Sequence, residues 1–389
     1  MKVGIDISQI VYQGTGVASY TSSLVEAFSR VGTDNQYVLF GSSLRNNRIL
    51  RDFVKKFDKE VFKHKFSFLP PKFLEILWNG IHLVPIETFT GNLDIFHSSD
   101  WLEPPTARAK KVTTVHDFIV YKYPETFSPR GGHNIVTNQK RKLFFVKHYS
   151  DLIIAVSQTT KQDAMEILKI PEKKIRVIYE AADPFYFPRD QDRISKTKEK
   201  FKIRGDYFLC VGTREPRKNI GRVIMAFAQL PKEFLGFSLV IAGKYGWGDE
   251  NQISKIKNPA STAKRGEQRL DSRVKILGYT EKEDLASLYS GTKAFVYPSL
   301  YEGFGLPILE AMACGAPVVT SNIGSMKEIA SGVAFLCNPE SVESIAGAML
   351  KITKEDQNGL RQKSLVRAGE FSWDKTSLQT LEAYHSLLE

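Results

Sequence analysis

The sequence predicts a two-domain α/β protein in which each domain is a doubly wound parallel sheet with helices on both faces. Short apolar, β-branched runs recur in two series, each run followed by a helical stretch, as is typical of buried parallel sheets. At 389 residues the chain is also too long for one hydrophobic core. The predicted strands cover 2–7, 37–40, 94–97, 111–116, 152–156 and 175–178 in the first series, and 207–211, 238–242, 274–277, 294–297, 317–320 and 332–336 in the second.

The domain boundaries follow from composition. We assign residues 1–184 to an N-terminal domain, the polar, proline-punctuated residues 185–206 to a linker, and residues 207–374 to a C-terminal domain. A last helix over 375–389 could pack back onto the N-terminal domain. Because parallel sheets bind ligands beyond the carboxyl ends of their strands, the cleft between two such domains is the expected site.

Composition narrows the class of protein. The chain has 42% hydrophobic and 25% charged residues, as an ordinary globular protein does. No run approaches the ~18–20 apolar residues of a membrane span, and the N-terminus does not have the pattern of a signal peptide. Its three cysteines are far apart and odd in number, which disfavours a disulfide framework or a zinc cluster. We therefore expect a cytoplasmic protein.

The chain is basic, with a net charge of +11 and a pI near 9.3. Positive charge is densest over 45–73, where nine Lys and Arg residues face three acids and six Phe residues interleave with them. Such a segment can lie on an anionic bilayer surface, and the alternative is a solvated helix with a buried Phe face. No zinc-finger, RNP or helix-turn-helix pattern accompanies the charge, so we expect no nucleic-acid partner.

The most informative stretch is AFVYPSLYEGFGLPILEAMACGAP, residues 294–317. We predict a strand that ends at Tyr297 and a short helix over 307–314, with Pro307 at its start and Gly315 as its C-terminal stop. The loop before the helix would present backbone N–H groups and the positive end of the helix dipole, as a diphosphate requires. The residues of that loop are Gly303, Phe304, Gly305 and Leu306.

Two carboxylates bracket this loop, with seven residues between them. Glu302 precedes it and Glu310 lies one turn inside the predicted helix. One carboxylate for a hexose and one for a ribose is the natural division, since sugar hydroxyls donate to carboxylates.

These residues resemble a known family. YEGFGLPILEAMACGAPVV is similar to the Glu-x7-Glu signature of retaining glycosyltransferases of family four, and the resemblance covers almost the whole chain. It implies the GT-B fold, in which two Rossmann-like domains face each other across an interdomain cleft. It also implies retention of the anomeric configuration and a nucleotide-sugar donor.

A second loop, after the predicted strand 207–211, carries Thr213, Arg214, Arg217 and Lys218. Cations at a strand–helix junction can neutralise a diphosphate leaving group. The segment is similar to the family's diphosphate-binding loop, whose Arg-Lys pair matches Arg217 and Lys218. Some family members have Arg where this chain has Thr213, and whether Arg214 substitutes for it is left open.

Further candidates depend more on the resemblance. Gly14 and Gly16 form a weak Gly-x-Gly signal that matches a family loop beside the donor phosphates. His116 ends a predicted strand, can exchange a proton near neutral pH, and matches the family's sugar-contacting His. Gly278 and Tyr279 resemble a base-contacting turn. We expect His97, in contrast, to be structural.

The predicted reaction is transfer of a hexose from a nucleotide-diphosphate sugar to an acceptor hydroxyl, with His116, Glu302, Lys218 and Arg217 as the catalytic set. TTVHDFIVYKYPETFSP and VGTREPRKN look most like bacterial GDP-mannose-dependent mannosyltransferases of surface polysaccharide assembly, whose acceptors are often lipid-linked. UDP-glucose-type and rhamnose donors are the alternatives. No cofactor or metal is expected, and the Asp-x-Asp at 190–192 is rejected as a metal site because no strand precedes it.

The sequence fits two other classes of protein less well. A NAD-dependent dehydrogenase requires Gly-x-Gly-x-x-Gly after the first strand, and here the pattern fails at Ser19. A non-catalytic sugar-binding protein would have a broken donor site, whereas Lys218, Glu302 and Glu310 are intact. The sequence therefore favours an enzyme.

Overall fold

A computed structural model describes residues 1–127, 132–246 and 273–389, without the side chains of residues 132 and 133. The chain divides into two compact units. The first comprises Met1–Ala181 and Phe371–Glu389, and the second comprises Ala182–Glu370. Each unit is built on one parallel sheet, as the sequence predicted.

The sheet of the first unit has the strand order β3-β2-β1-β4-β5-β6-β7. The chain fills one side of β1 with β2 and β3, then crosses to the other side for the remaining strands. The carboxyl ends of β1 and β4 therefore form the switch point of this sheet. The strands are β1 Lys2–Asp6, β2 Gln36–Ser42, β3 Phe62–Ser67, β4 Ile95–Ser98, β5 Lys110–Val115, β6 Leu152–Ala155 and β7 Ile175–Val177.

Helices cover this sheet. The first, α1, begins after Thr15, whose side chain accepts from Ala18 N at 3.3 Å and so caps it. The α-helices are α1 Gly16–Val31, α2 Asn47–Val54, α3 Pro71–Leu74, α4 Glu87–Thr90, α5 Ile119–Lys122, α6 Gly132–Tyr149 and α7 Gln158–Leu168. A π-helical turn spans Glu75–Gly80, and short 3-10 helices span Ser8–Val11, Pro124–Thr126 and Glu172–Lys174.

The last helix of the chain, Trp373–His385, packs on α1 in the first unit. Trp373, Leu381 and Tyr384 are buried in the same apolar core as Phe28 of α1. An ion pair joins Arg30 to Asp374 at 2.6 Å. Burial of these large side chains fixes the C-terminal helix to this unit, because it removes a large apolar area from water.

The sheet of the second unit has the order β10-β9-β8-β11-β12-β13. Its strands are β8 Tyr207–Val211, β9 Ser238–Ala242, β10 Val274–Gly278, β11 Ala294–Tyr297, β12 Val318–Ser321 and β13 Phe335–Cys337. Its α-helices are α8 Gln191–Lys200, α9 Ile220–Ala228, α10 Lys282–Gly291, α11 Leu306–Ala313, α12 Gly324–Ile329, α13 Val342–Lys354 and α14 Gln357–Gly369, which makes Trp373–His385 α15. Short 3-10 helices span Pro216–Lys218 and Lys232–Phe234.

The basic segment 45–73 differs from a single solvated helix. It holds α2, the edge strand β3 and the start of α3, and β3 is a strand that the sequence prediction missed. Phe53, Phe57 and Phe62 are buried in the core, so they cannot meet a bilayer. Only Phe68 and Phe73 of the six Phe residues are strongly exposed, at 60% and 50%.

The segment 185–206 is not a free linker. It belongs to the second unit, and within it α8 packs against α10, with Ile194 buried and Lys200 paired with Asp284 at 2.5 Å. Asp190 caps this helix by accepting from Arg193 N at 2.8 Å. The Asp-x-Asp sequence at 190–192 is therefore explained as a helix start.

The three cysteines, Cys210, Cys314 and Cys337, are buried free thiols. Across the described parts of the chain, no helix combines the length and the apolarity needed to cross a membrane.

Candidate functional site

The loop after β8 is held firmly against the loop after β11. Arg217 O accepts from Leu300 N at 2.8 Å, and Asn219 Nδ2 donates to Pro298 O at 2.9 Å and to Pro339 O at 2.6 Å. Asn219 has a left-handed backbone with φ +62°, which ends the 3-10 turn and begins α9. The turn thus carries Arg217 and Lys218 to a fixed position.

Those two cations meet Glu302. Lys218 Nζ donates to Glu302 Oε1 at 2.6 Å, and Arg217 Nη1 donates to Glu302 Oε2 at 2.5 Å. Tyr297, at the end of β11, accepts from Lys218 Nζ at 2.5 Å and donates to Glu302 Oε1 at 2.8 Å. Arg217 also pairs with Glu215 at 2.6 Å. Glu302 therefore pairs with both of the cations that the sequence assigned to a diphosphate, and Glu215 is a second carboxylate on Arg217.

The electrostatics of this cluster are dominated by burial and by mutual attraction. Burial alone would raise the pKa of Glu302, but Arg217 and Lys218 outweigh it and hold the pKa at about 2. Burial and the neighbouring Arg217 lower the pKa of Lys218, against the opposing effect of Glu302. Glu302 is thus an anion throughout the neutral range.

The glycine loop follows Glu302 directly. Gly305 has φ +115°, a conformation that favours glycine, and it is the N-cap of α11. Gly303 and Phe304 are buried, and Ser325 Oγ fixes the loop by donating to Glu302 O at 2.7 Å. Helix α11 begins at Leu306, with Pro307 in its first turn, and Gly315 follows its end with φ +75°. The predicted strand–loop–helix arrangement is confirmed.

Glu310, in α11, has a separate environment from Glu302. Its Oε2 accepts from Tyr289 Oη at 3.2 Å. Burial raises the pKa of Glu310 to about 7, although the bond from Tyr289 acts in the other direction. The two carboxylates of the Glu-x7-Glu pattern therefore differ in charge state near neutral pH.

The remaining candidates of the second unit are spread over neighbouring loops. Thr213 is exposed, whereas Arg214 is buried with its guanidinium 4.5 Å from the ring of Tyr245. Gly278, with φ +72°, accepts from Gly243 N at 2.7 Å. Tyr279 is exposed, and Lys244 Nζ lies 5.3 Å from its ring.

His116 lies in the first unit, just after β5. Its Nδ1 is 2.9 Å from Glu180 Oε1, and Glu180 is only 3% exposed. The ring of Tyr20 meets the imidazole edge-on at 4.7 Å. Burial would lower the pKa of His116, but the hydrogen bond and charge of Glu180 outweigh it and the pKa is raised.

The other candidates of the first unit are Gly14, Gly16 and His97. Gly14, with φ +80°, is exposed, and Gly16 is the first residue of α1. His97 is buried between Tyr384 Oη at 2.6 Å and Thr114 Oγ1 at 2.8 Å. Burial lowers the pKa of His97 to about 3, so it is a neutral structural residue.

The structure thus brings Arg217, Lys218 and Glu302 into direct contact, gives Glu310 a different partner, and places His116, Gly14 and Gly16 in the other unit. Sequence reasoning missed the side chains that contact these residues, namely Tyr297, Glu215, Tyr289 and Glu180. Tyr297 and Glu180 each lie at or just after a strand end, which was the available signal.

Chemically, the second unit offers fixed cations, a glycine-lined helix N-terminus and two carboxylates of different charge state. Cations and backbone N–H groups stabilise an oxyanion that develops on a leaving group. Carboxylates accept from hydroxyls, and the partly exposed His116 beside Glu180 is suited to hold a proton.

Two family models match the chain. The model described as Glycosyltransferase Family 4 matches residues 14–184, and the model described as Glycosyl transferases group 1 matches residues 191–370. An O-antigen chain mannosyltransferase B of Escherichia coli is 32% identical over 75% of this chain and 74% of its own length. The serotype-specific mannosyltransferase WbdA of Escherichia coli is 33% identical over 72% of this chain, which spans only 34% of that relative.

Solved structures agree on the fold. Anabaena HepE in complex with UDP and glucose superposes with a TM-score of 0.70 at 18% identity, covering 99% of this chain and 100% of that one. A sucrose-phosphate synthase of Thermosynechococcus elongatus gives 0.72 at 20% identity, covering 100% and 99%. The chain therefore belongs to glycosyltransferase family 4 and has the GT-B fold of two Rossmann-like α/β domains.

Proposed function

We propose that the protein is a retaining mannosyltransferase that uses GDP-mannose to extend a surface polysaccharide. The contact of Lys218 and Arg217 with Glu302, beside the glycine loop of α11, carries this proposal. The similarity to O-antigen and serotype-specific mannosyltransferases of Escherichia coli supports mannose as the sugar and a polysaccharide as the product.

In the proposed reaction, the oxygen of an acceptor hydroxyl bonds to the anomeric carbon while the bond from that carbon to the diphosphate oxygen breaks. The proton of the hydroxyl passes to the departing phosphate, and attack occurs on the face that the phosphate leaves. The diphosphate takes negative charge, which Lys218, Arg217 and the N–H groups of residues 303–306 stabilise. No protein nucleophile is required.

The other residues position the donor. Glu302, ionised and rigidly held, accepts from hydroxyls of the transferred hexose, and Glu310 accepts from the ribose. His116 contacts the sugar near the anomeric carbon. Gly278 and Tyr279 contact the base, and Gly14 and Gly16 adjoin the phosphates. Thr213 and Arg214 complete the diphosphate loop.

We further propose that the reaction needs no metal ion. The support is chemical, because Arg217, Lys218 and the start of α11 supply the positive charge that a metal would otherwise bring to a diphosphate. Turnover should survive dialysis against a chelator. A loss of activity that added Mg²⁺ or Mn²⁺ restores would contradict the proposal.

A UDP-sugar donor is the second candidate, and the UDP and glucose bound by the structurally similar HepE favour it. A panel of sugar nucleotides, assayed for release of the nucleotide diphosphate, decides between the two. We expect GDP-mannose to be turned over fastest. Preference for UDP-glucose would replace the donor, and absence of turnover with tight binding would indicate a non-catalytic binding protein.

Two variants test the roles at the donor site. Glu302→Ala and Lys218→Ala should each reduce turnover by about 10²–10³-fold, as loss of one transition-state contact does. Lys196→Ala is the matched control, because Lys196 forms an exposed pair with Asp192 on α8. Normal product release by either site variant would overturn the assignment.

The acceptor we propose is a saccharide, and it is lipid-linked. We place the peripheral membrane contact at the C-terminal end of the segment 45–73. Phe68, Phe73 and Ile76 are exposed there, and so is Lys72. Sedimentation with anionic vesicles should capture the wild-type chain and lose the variant Phe68→Ser/Phe73→Ser. Equal capture of both would exclude this surface.

A further inference from the structure

A small, partly open cavity of the first unit lies at the carboxyl ends of β1, β4 and β5. Its polar lining consists chiefly of Asp6, Tyr20, Ser99, Asp100, Thr114 and His116. The order of the sheet makes the ends of β1 and β4 its switch point, where doubly wound sheets bind ligands. No role assigned above uses Asp6 or Asp100.

Asp6 is held by one oxygen and leaves the other free. Its Oδ1 accepts from Ser8 N at 2.8 Å and from Ser8 Oγ at 2.5 Å, and Ser8 Oγ in turn accepts from Ser42 N at 2.9 Å. The Ser99 hydroxyl also acts on this carboxyl and lowers its pKa, against the larger effect of burial. Within the described part of the chain, Asp6 Oδ2 nevertheless has no hydrogen bond of normal geometry, although the residue is only 2% exposed. A buried polar atom without a partner is unusual in a native fold and calls for a ligand or an ordered water.

A neighbouring carboxylate shows that this unit can satisfy its buried acids. Glu103, fully buried, accepts from Ser98 Oγ at 2.8 Å and from Thr113 Oγ1 at 2.9 Å, and it pairs with Lys111 at 2.8 Å. Asp6, which lines the cavity, therefore differs from Glu103 in having one oxygen that receives no such hydroxyl hydrogen bond.

The chemistry of the cavity selects a neutral hydroxyl. Burial raises the pKa of Asp6, so its Oδ2 either accepts as a carboxylate or donates as an acid. A hydroxyl can meet both forms, because it both donates and accepts. Phosphate is disfavoured by the carboxyl group of Asp6, in contrast to the cations of the second unit. The other acid of the lining, Asp100, pairs with the buried Lys142 at 3.5 Å.

We propose that this cavity binds a hydroxyl group of the acceptor saccharide, with Asp6 Oδ2 as its hydrogen-bond partner and Asp100 beside it. The proposal rests on the function proposed above, since it assigns the acceptor of that reaction. The cavity holds an edge of the sugar, such as a hydroxyl or hydroxymethyl group, and not the whole ring.

The variant Asp6→Asn tests the proposal, because it keeps the oxygen that binds Ser8 and replaces the free oxygen by an NH₂ group. With methyl α-mannoside as acceptor probe, kcat/KM for the probe should fall at least about tenfold, the loss of one good hydrogen bond. Hydrolysis of GDP-mannose without acceptor, and the Kd for GDP, should stay unchanged. Wild-type kcat/KM for the probe in this variant would overturn the inference.

Asp94→Asn is the matched control. Asp94 Oδ2 accepts from Lys2 N at 2.7 Å at the opposite ends of the same strands, and the residue is exposed. This variant should leave the kinetics of the probe unchanged. If it impairs the probe as much as Asp6→Asn does, the effect belongs to the sheet and not to the cavity.

A crystal soaked with GDP and methyl α-mannoside decides the point even where Asp6→Asn folds poorly. A mannoside hydroxyl within hydrogen-bonding distance of Asp6 Oδ2 supports the proposal, and water alone at that atom overturns it. If the wild-type chain hydrolyses no sugar nucleotide, the proposed function fails, while the soak still reports on the cavity.

Discussion

The partly exposed His116 pairs with the buried Glu180, with the imidazole Nδ1 2.9 Å from the carboxylate. The two residues are separated by 64 positions and lie after β5 and β7. A carboxylate on Nδ1 fixes the ring orientation and favours the proton on that nitrogen, so Nε2 keeps a defined direction. If His116 contacts the sugar as proposed, Glu180 acts on the sugar through His116.

Replacing Glu180 by Gln should lower the pKa of His116, because the charge that raises it is lost. The Glu180 carboxylate raises the pKa of His116 in the folded state. The stabilisation from this pair is therefore complete below the pKa of His116 in the unfolded chain, ~6.5, and is lost as pH rises through its pKa in the folded protein. We expect E180Q to cost about 1–3 kcal/mol of unfolding free energy at acid pH and less at alkaline pH. Denaturant unfolding at both pH values and an NMR titration of His116 measure this.

The matched background for that test is His116→Gln. In that variant the second change, Glu180→Gln, should have little further effect on turnover, since its partner is absent. A pH-independent loss of stability in E180Q, or an unchanged His116 titration, would show that the contact is only a packing contact.

Glu302→Gln should bind GDP several-fold more tightly yet transfer sugar about 10²-fold more slowly. The carboxylate competes with the diphosphate for Lys218 and Arg217, so its neutralisation frees the cations for the ligand. Transfer slows because the hexose loses its ionised partner. Calorimetric titration with GDP and single-turnover kinetics give the two quantities.

Glu215→Gln is the control for the expected increase in affinity for GDP. This change removes the negative charge of Glu215, which pairs with Arg217, but leaves Lys218 and Glu302 paired. It should also strengthen GDP binding while keeping most of the turnover. Weaker binding of GDP by both variants would contradict the competition.

Affinity for the donor should increase with pH through about 7, the pKa of Glu310. The ionised carboxylate accepts from both ribose hydroxyls, whereas the acid does not, so about tenfold is the expected gain from about pH 6 to about pH 8. GDP-mannose is the appropriate ligand, because its pyrophosphate diester does not titrate there. The binding curve of Glu310→Gln should be flat.

Tyr289→Phe refines this test. The hydroxyl of Tyr289 lowers the pKa of Glu310, so its loss should move the midpoint of the binding curve to higher pH. If the pH midpoint of donor binding is the same in Tyr289→Phe and in Glu310→Gln as in the wild-type chain, the pH dependence belongs to another group, such as His116.

Gly305→Ala should destabilise the fold by about 1–3 kcal/mol, because φ +115° is costly for any residue with a Cβ. The new methyl group would also lie 3.3 Å from Ile308 Cδ1. Gly347→Ala in α13 is the control, since a Cβ there meets open space and should stabilise the helix by up to about 1 kcal/mol. Thermal unfolding of the two variants should shift in opposite directions.

Most of the strands could be predicted from local sequence patterns. Twelve of the strands were anticipated because each is an apolar run followed by a helix. The strand β3 was missed because it is a sheet edge, with Lys63, His64 and Lys65 exposed, and edge strands carry such charges to prevent association. Only Phe62 and Ser67 of its six residues are buried, so no continuous apolar run marks this strand.

The sequence by itself determined the α/β class, the glycine loop before α11 and the residue types of the candidate site, because these depend on neighbours along the chain. Only the tertiary structure decided that Glu302 pairs with both Lys218 and Arg217, that burial raises the pKa of Glu310 to about 7, and that Glu180 contacts His116. Charge state and hydrogen bonding depend on distances through space, between residues 84 and 64 positions apart, and no spacing along the chain encodes them.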